Sequence, residues 1–307
     1  MSKEKILITG AAGFIGSSLS RYLDQRKYKV YGVDDLSTGT KSNLNNAIKF
    51  IKADLSKKEN LKLLPKQIDY IFHLAGQSSG EKSFYDSEND YKRNFLTTYN
   101  LLNYYKESKI KKFIFSSSMS VYGNLKNTRA KENDQCKPLS NYGKHKLLAE
   151  EIIKMQTNIK YIIFRFFNVY GPGQNLKDLK QGMVSIYMAH MLKDKKILVK
   201  GSLKRLRDFI FIDDVNYVLN KSIKLKKFNN QIFNLGTGKS TTVKNLISNL
   251  IKFEKNTSLR VTKSTPNDQN AIIADTRKIK KIIKLKPTML KYGLYKFYKW
   301  SKQNKVY

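Results

Sequence analysis

Tyr142-Gly143-Lys144-His145-Lys146 sets a phenol and an ammonium four residues apart. On a helix these two side chains share one face. A cation beside a phenol lowers its pKa, and a phenolate formed near neutral pH is a general base. The same ammonium can hold a ribose. In a chain with 59 lysines and arginines the spacing alone selects nothing. Tyr105/Lys109, Tyr122/Lys126, Tyr217/Lys221, Tyr292/Lys296, Tyr295/Lys299 and Tyr298/Lys302 all match it. Position selects among them. Only Tyr142 opens a predicted helix (141–155) that follows a serine cluster, Ser116-Ser117-Ser118, at the tip of a predicted strand (112–115). Tyr122 runs into Gly123-Asn124, which reads as a turn.

A second group of residues could hold a phosphate. Lys5-Ile6-Leu7-Ile8-Thr9 is a strand pattern, Gly10-Ala11-Ala12-Gly13-Phe14-Ile15-Gly16 follows at once, and 17–23 reads as a helix. Strand, glycine turn and helix in that order open a dinucleotide-binding βαβ unit. Gly10 permits the sharp exit from the strand. Gly13 lets a pyrophosphate approach the backbone, and Gly16 lets the helix pack close to the sheet. The helix N-terminus offers free N–H groups and a positive dipole end. A second strand (29–33) ends at Asp34, 18 residues after Gly16. An acid there accepts hydrogen bonds from ribose hydroxyls and repels a 2′-phosphate, which favours NAD over NADP.

The elements that must position these groups alternate along the chain. Strands are expected at 47–51, 68–74, 112–115 and 161–164. A long helix lies within 84–109 and carries Asn94, and the helix at 141–155 follows. Asp54 and Leu55, just past the third strand, can flank an adenine; the competing reading is a helix cap at Asp54 or Ser56. Ala75 and Gly76, after Leu74, are small enough to admit a diphosphate and a ribose. The alternation predicts an α/β, Rossmann-type, doubly wound parallel sheet. Past Gly171-Pro172-Gly173 the rhythm changes. Helices at 182–193, 243–253, 276–284 and 290–301 and a strand at 197–200 predict a smaller C-terminal α/β domain that binds substrate. The partition expected is 1–170 for the cofactor, with 208–236 returning to it through a helix from Asp213 and a strand at 231–235, and 171–307 mainly for substrate. The five prolines, Pro65, Pro138, Pro172, Pro266 and Pro287, all fall at predicted boundaries.

Bulk properties narrow the classes. The length of 307 residues with 40% hydrophobic content suits a globular chain with ample core. No apolar run approaches the ~20 residues that span a bilayer. Residues 1–5 run straight into the first strand, so neither a signal peptide nor a membrane partner is expected, and a cytoplasmic location is. Cys136 is the single cysteine, which excludes an internal disulfide; His73, His145 and His190 are not spaced for a metal. The formal net charge of +35 is spread along the chain, and only nine of the basic residues are arginine. That reads as a lysine-rich solvated surface rather than a nucleic-acid interface.

The chain resembles the extended short-chain dehydrogenase/reductases, specifically the NAD-dependent sugar-nucleotide epimerase/dehydratase group. Besides the glycine turn and Tyr142-x-x-x-Lys146, the matching pieces are His73-Leu74-Ala75-Gly76, Phe115 to Gly123, Arg165 to Pro172, Arg207-Asp208-Phe209, Asn234 to Gly238 and Asp275 to Lys278. They appear in family order over nearly the whole chain. The resemblance implies that Ser118 hydrogen-bonds the reacting hydroxyl, Tyr142 takes its proton and Lys146 tunes Tyr142. Phe167 would lie near the nicotinamide. Asn168 and Arg207 would bind the substrate's diphosphate, which suits a guanidinium fork. Phe14, Ile15, Leu74 and Asn94 join the cofactor contacts, and Gln77 the substrate contacts. In the family, 4,6-dehydratases carry Asp-Glu after the catalytic Ser or Thr. Met119-Ser120 stands here, which implies 4-epimerisation of a UDP-glucose type of substrate with NAD regenerated in each turnover. The alternatives are a dehydratase or reductase on the same scaffold, or a non-catalytic NAD- or nucleic-acid-binding protein. The stretch 76–83 is unlike the common epimerase loop, and Thr265 stands where the family often has Arg. A homodimer pairing through the helices at 84–109 and 141–155 is implied as well.

Overall fold

The computed structural model describes residues 3–24, 28–125, 127–264, 270–305 and 307. Lys126, Thr265 and Pro266, named above, lie outside these. Seven strands form one parallel sheet: β1 (Lys5–Thr9), β2 (Lys29–Asp34), β3 (Lys49–Lys52), β4 (Tyr70–His73), β5 (Lys112–Ser118), β6 (Tyr161–Phe166) and β7 (Gln231–Leu235). Their order is β7-β6-β5-β4-β1-β2-β3. The direction of winding reverses between β1 and β4, and the crevice above such a point is where ligands of open α/β sheets bind.

Both faces of the sheet are covered, so its strands are apolar almost throughout; every residue of β5 is buried. Along β1, Ile6 and Ile8 join one core cluster and Leu7 the other, as strand alternation requires. One face is packed by α1 (Phe14–Asp24) and, further along the chain, Ile212–Lys224. The other is packed by α2 and α3. Here α2 is Ser87–Tyr91, one π-helical turn at Lys92–Leu96 and Thr97–Tyr104 without a break, and α3 is Asn141–Lys154. The helix Ile212–Lys224 leads to β7, which pairs in parallel with β6.

The C-terminal part contains smaller sheets. Thr241–Thr242, Leu206–Arg207, Ala271–Ala274 and Arg129–Ala130 form four strands in that order. Phe209–Phe211 pairs with Asn168–Tyr170, and Ser258–Thr262 with Lys196–Lys200. The N-terminal segment Arg129–Ala130 is thus threaded into a C-terminal sheet through Ile273 and Ala274. Asp208 ties this region together. Its buried carboxylate accepts from Thr237 N (2.9 Å), Thr237 Oγ1 (2.6 Å), Gly238 N (2.8 Å) and Ala274 N (3.2 Å). That explains why Arg207-Asp208, Gly236-Thr237-Gly238 and the Ala274-Asp275 region depend on one another.

Candidate active site

The strand ends of the winding switch open into a cleft of ≈ 900 Å³. Its first wall is the glycine turn. Gly10 has φ +69 and would press a Cβ to 2.9 Å from Ala75 Cα. Gly16 lies in the first turn of α1, and a Cβ there would stand 2.1 Å from the carbonyl oxygen of Gly10, the residue that follows β1, so the helix starts against the end of the strand. Gly13 faces open space apart from the same oxygen at 3.3 Å. Gly10, Gly13, Phe14, Ile15 and Gly16 all line the cleft.

At the same end Asp34 closes β2. Its carboxylate accepts from Ala12 N (3.0 Å) and Leu36 N (2.8 Å) and faces the cleft. Burial pushes its pKa up against those two bonds. Asp54 and Leu55 line the cleft too, and Asp54 also caps a turn, accepting from Ser56 N (2.9 Å) and Ser56 Oγ (2.7 Å). The helical turn that follows, Lys58–Leu63, has Lys57 at its N-cap and no side-chain cap, so neither Asp54 nor Ser56 caps a helix and Asp54 instead closes a turn through Ser56. Leu74 N and Ala75 N donate to Thr9 Oγ1 (3.1 and 3.0 Å), which fixes the backbone that ends in Gly76.

Ser118, Tyr142 and Lys146 meet at the C-terminal edge of β5 and line the same cleft. Ser140 caps α3, its hydroxyl accepting from Gly143 N (3.1 Å), and so sets Tyr142 in the first turn. The Tyr142 phenol hydrogen-bonds with Ser118. The expected lowering of the Tyr142 pKa is not found. Burial pushes it up to about 12, against the lowering effect of Ser118. The reason is geometric: Lys146 Nζ donates to the Ser116 carbonyl (3.0 Å) and sits 4.8 Å over the Phe115 ring. Burial pushes Lys146 itself down to about 8, opposed by the charges of Asp90 and Glu150.

On the C-terminal side, Phe167, Asn168 and Arg207 line the cleft. Phe167 is buried among Val121, Tyr122 and Ile272. Asn168 Nδ2 donates to the Asp208 carbonyl (2.9 Å). Arg207 is 4% exposed, and burial with the neighbouring Arg205 charge pushes it down to about 10. Two expected contacts are placed differently. Asn94 does not line the cleft wall; it lies behind Gly76, with Oδ1 2.5 Å from where a Gly76 Cβ would be. Gln77 lines the cleft, but its Nε2 donates to Asp90 (2.6 Å) and to the Ser79 carbonyl (2.8 Å) rather than into the space. The winding of α2 through its π turn buries both Asp90 and Asn94 and draws Gln77 back.

Several residues of the site were not singled out from the sequence. Glu150, one turn beyond Lys146, accepts from Arg165 Nη2 (2.7 Å) and Nε (3.0 Å) and from Ser117 Oγ (2.5 Å). Its spacing of four from Lys146 was the available signal. Arg205 and Tyr187 sit beside Arg207 in the cleft. The segment around Asp178–Gln181 closes the far side: Lys82 Nζ reaches Asp178 (2.6 Å), Ser79 Oγ donates to the Lys180 carbonyl (2.8 Å), and Gln181 bonds with Ser78.

Residues 6–236 match the family model described as the NAD dependent epimerase/dehydratase family. The chain is 33% identical over 306 residues to a putative UDP-glucose 4-epimerase of Methanocaldococcus jannaschii, covering 97% of this chain and 99% of that protein. Its fold is similar to that of the UDP-glucose 4-epimerase of Thermotoga maritima, solved with UDP-glucose, with TM-score 0.91 and 30% identity over 98% of this chain and 99% of that one. It is similar too to the UDP-N-acetylglucosamine 4-epimerase of Methanobrevibacter ruminantium, with TM-score 0.91 and 28% identity over 99% of this chain and 100% of the other.

Proposed function

The chain belongs to the NAD-dependent epimerase/dehydratase family, and we propose that it 4-epimerises a nucleoside-diphosphate sugar of the UDP-glucose/UDP-galactose type. One observation carries this reading. Ser118, Tyr142 and Lys146 open on one cleft with the glycine turn, and the residues beside Ser118 are Met119 and Ser120. Of the carboxylates that line the cleft, Asp34, Asp35 and Asp54 belong to the part beside the glycine turn, and Glu81 and Asp178 are paired with Lys200 (3.5 Å) and Lys82 (2.6 Å). No second acid–base pair is therefore offered next to Ser118 among the described residues, which a dehydration would need.

The residues fit NAD. The Gly13 backbone is bare toward the cleft, the Asp34 carboxylate faces it, and the buried Asn94 Oδ1 behind Gly76 lacks a protein partner. In this reading Gly10, Gly13, Phe14, Ile15 and Gly16 hold the diphosphate, Asp34 the adenosine ribose, and Asp54 and Leu55 the adenine. Leu74, Ala75 and Gly76 floor the nicotinamide half, beside Phe167 and Lys146. Asn168 and Arg207 bind the substrate's diphosphate. Residues 1–170, with 208–236 rejoining them, serve the cofactor, and 171–307 mainly serve the sugar nucleotide.

NAD held by these residues would supply reversible hydride acceptance for C4 and a positive charge that favours a phenolate at Tyr142. Ser118 orients the 4-hydroxyl. Tyr142 takes its proton as the C4 carbonyl forms and gives it back after the sugar turns. Lys146, pinned on the Ser116 carbonyl, presents its remaining protons to the ribose.

The test is turnover of UDP-glucose, UDP-galactose and their N-acetyl forms by the purified protein. Interconversion is expected, with a loss of roughly 10²–10⁴-fold in kcat for Tyr142→Phe. Accumulation of a 4-keto-6-deoxy product would instead assign a dehydratase. Absence of turnover with salt-sensitive nucleic-acid binding would assign a binding protein.

A further inference from the structure

We propose that Asp90 is a positioning residue of this site: its buried carboxylate, anchored by His145, takes the Asn94 amide nitrogen so that Asn94 Oδ1 is turned toward Gly76, and it holds the Gln77 amide by its nitrogen. The inference deepens the reading of the cleft as a nicotinamide-dinucleotide site and rests on it.

An ionised carboxylate only accepts hydrogen bonds, whereas an amide and a neutral imidazole each have one donating and one accepting end. Three such ambiguous groups converge on Asp90, whose side chain is 0% exposed. Asn94 Nδ2 donates to Oδ1 at 3.0 Å and Gln77 Nε2 to Oδ1 at 2.6 Å. His145 Nδ1 approaches Oδ2 at 2.6 Å, so that nitrogen must carry a proton. His145 is the sole ion-pair partner of Asp90 among the described residues. The carboxylate thus sorts all three groups by what it cannot do.

The sorting has two consequences in the cleft. With Nδ2 committed to Asp90, Asn94 Oδ1 must face the other way. It does so without a protein partner, 2.5 Å from the point where a Gly76 Cβ would stand, and Lys146 Nζ is 3.2 Å from that same point. A bare acceptor and an ammonium donor over one glycine suit a ribose hydroxyl. With Nε2 committed to Asp90, Gln77 Oε1 accepts from Ser79 N, and the loop 77–79 is pinned. The Asp90 charge also acts on Lys146. The other groups that bear on this ammonium are Glu150 on its own helix, the Ser116 carbonyl and Phe115 ring of β5, and His73 of β4, which burial keeps neutral.

Two substitutions separate sorting from charge. Asp90→Leu removes both the acceptor and the charge. Asp90→Asn keeps an acceptor for the two amides, provided its own NH₂ turns to His145 and the neutral imidazole moves its proton to Nε2 so that Nδ1 accepts. Affinity for NAD is measured by calorimetry on cofactor-stripped protein, and the pH profile of kcat on a nucleotide sugar separately. Asp90→Leu is expected to weaken NAD about tenfold, the worth of one buried hydrogen bond. That loss should vanish in an Asn94→Ala background, because the two residues act through one contact. Asp90→Asn should restore most of the affinity while its alkaline limb of kcat moves to lower pH, since Lys146 loses a supporting charge. A folded Asp90→Leu protein that binds NAD like the wild type overturns the proposal, as does a loss that persists in full without Asn94, or an alkaline limb that Asp90→Asn leaves in place. Should thermal melting show Asp90→Leu unfolded, His145→Leu removes the anchor instead and must change NAD affinity with the same dependence on Asn94. A wild-type protein that turns over no nucleotide sugar defeats the epimerase reading alone, because the NAD measurement stands without it.

Discussion

Gly13 and Gly16 belong to one motif but answer to different constraints. A Cβ on Gly16 meets the Gly10 carbonyl at 2.1 Å, so Gly16→Ala should lower the melting temperature whether or not cofactor is present. A side chain on Gly13 meets little protein and projects into the cleft. Gly13→Val is therefore expected to fold with a melting temperature near that of stripped wild type and to retain no NAD; copurified NAD with full turnover would sink the assignment of the turn. His73 shows a related economy. Leu74 N and Ala75 N both donate to Thr9 Oγ1, so that hydroxyl gives its proton to His73 Nδ1 (2.7 Å), and Nε2 must donate to Thr98 Oγ1 (2.9 Å). Burial pushes the imidazole from 6.5 down to about 3. The unfolded chain then binds a proton that the folded one refuses, so this group's contribution is intact above pH 6.5 and is lost as pH falls toward 3. Replacing His73 by Asn should flatten the acid side of the melting-temperature profile; a profile as steep as the wild type's would place the acid sensitivity elsewhere. Lys146 works at the other end of the scale. Its ammonium, held down at about 8, is cationic below that pH, so kcat is expected to fall as pH rises through it.

At the level of elements, α3 is clamped to β5 and β6 beside Ser118, Tyr142 and Lys146. Glu150 takes Arg165 of β6 and Ser117 of β5 while Lys146, one turn earlier, takes Ser116. Arg165 also stacks 4.7 Å over Tyr122, whose hydroxyl donates to Asn234 Oδ1 (2.6 Å). Breaking a buried pair leaves an uncompensated charge, and Glu150→Ala should cost roughly 3–5 kcal/mol in denaturant unfolding; a loss near zero would mean that the helix is held by its apolar face alone. The same elements show what a reader of the chain can and cannot see. The strands of the main sheet are legible because burial on both faces makes them continuous apolar runs. The clustering of Ser118, Tyr142 and Lys146 in one cleft is legible because only one Tyr-x-x-x-Lys follows such a strand tip. Arg129–Ala130, Leu206–Arg207 and Thr241–Thr242 are not, since two-residue strands exist through partners far away in sequence. Nor is the π turn at Lys92–Leu96, which no Gly or Pro announces. Asp90 was hidden for the same reason. In Asp86-Ser87-Glu88-Asn89-Asp90 it reads as a solvated acidic face, and only the packing of α2 on α3 buries it.

At the scale of the whole molecule, α2 and α3 expose an aromatic and aliphatic patch. Along α2, Tyr91, Phe95 and Tyr99 stack in a column with ring centroids 5.1 and 6.3 Å apart. Tyr99 is 42% exposed. Beside them Leu148 of α3 is 43% exposed, and Met155, which follows the helix as its C-cap, is 76% exposed. Aromatic and aliphatic groups at helical spacing on two adjoining helices suit a self-complementary contact about a two-fold axis. We propose a homodimer that pairs α2 and α3 with their copies in a four-helix arrangement. A charge at its centre would be buried against its own symmetry mate. Tyr99→Glu combined with Leu148→Glu is therefore expected to shift the sedimentation coefficient from dimer to monomer while leaving the far-ultraviolet circular dichroism unchanged. Tyr91 packs edge-on against His145 at 5.5 Å, so the same face shelters the anchor of Asp90. The monomerised variant should accordingly lose affinity for NAD although neither substituted side chain reaches the cleft. A variant that stays dimeric would move the interface elsewhere, and a monomer with undiminished NAD affinity would show the two sites to be independent.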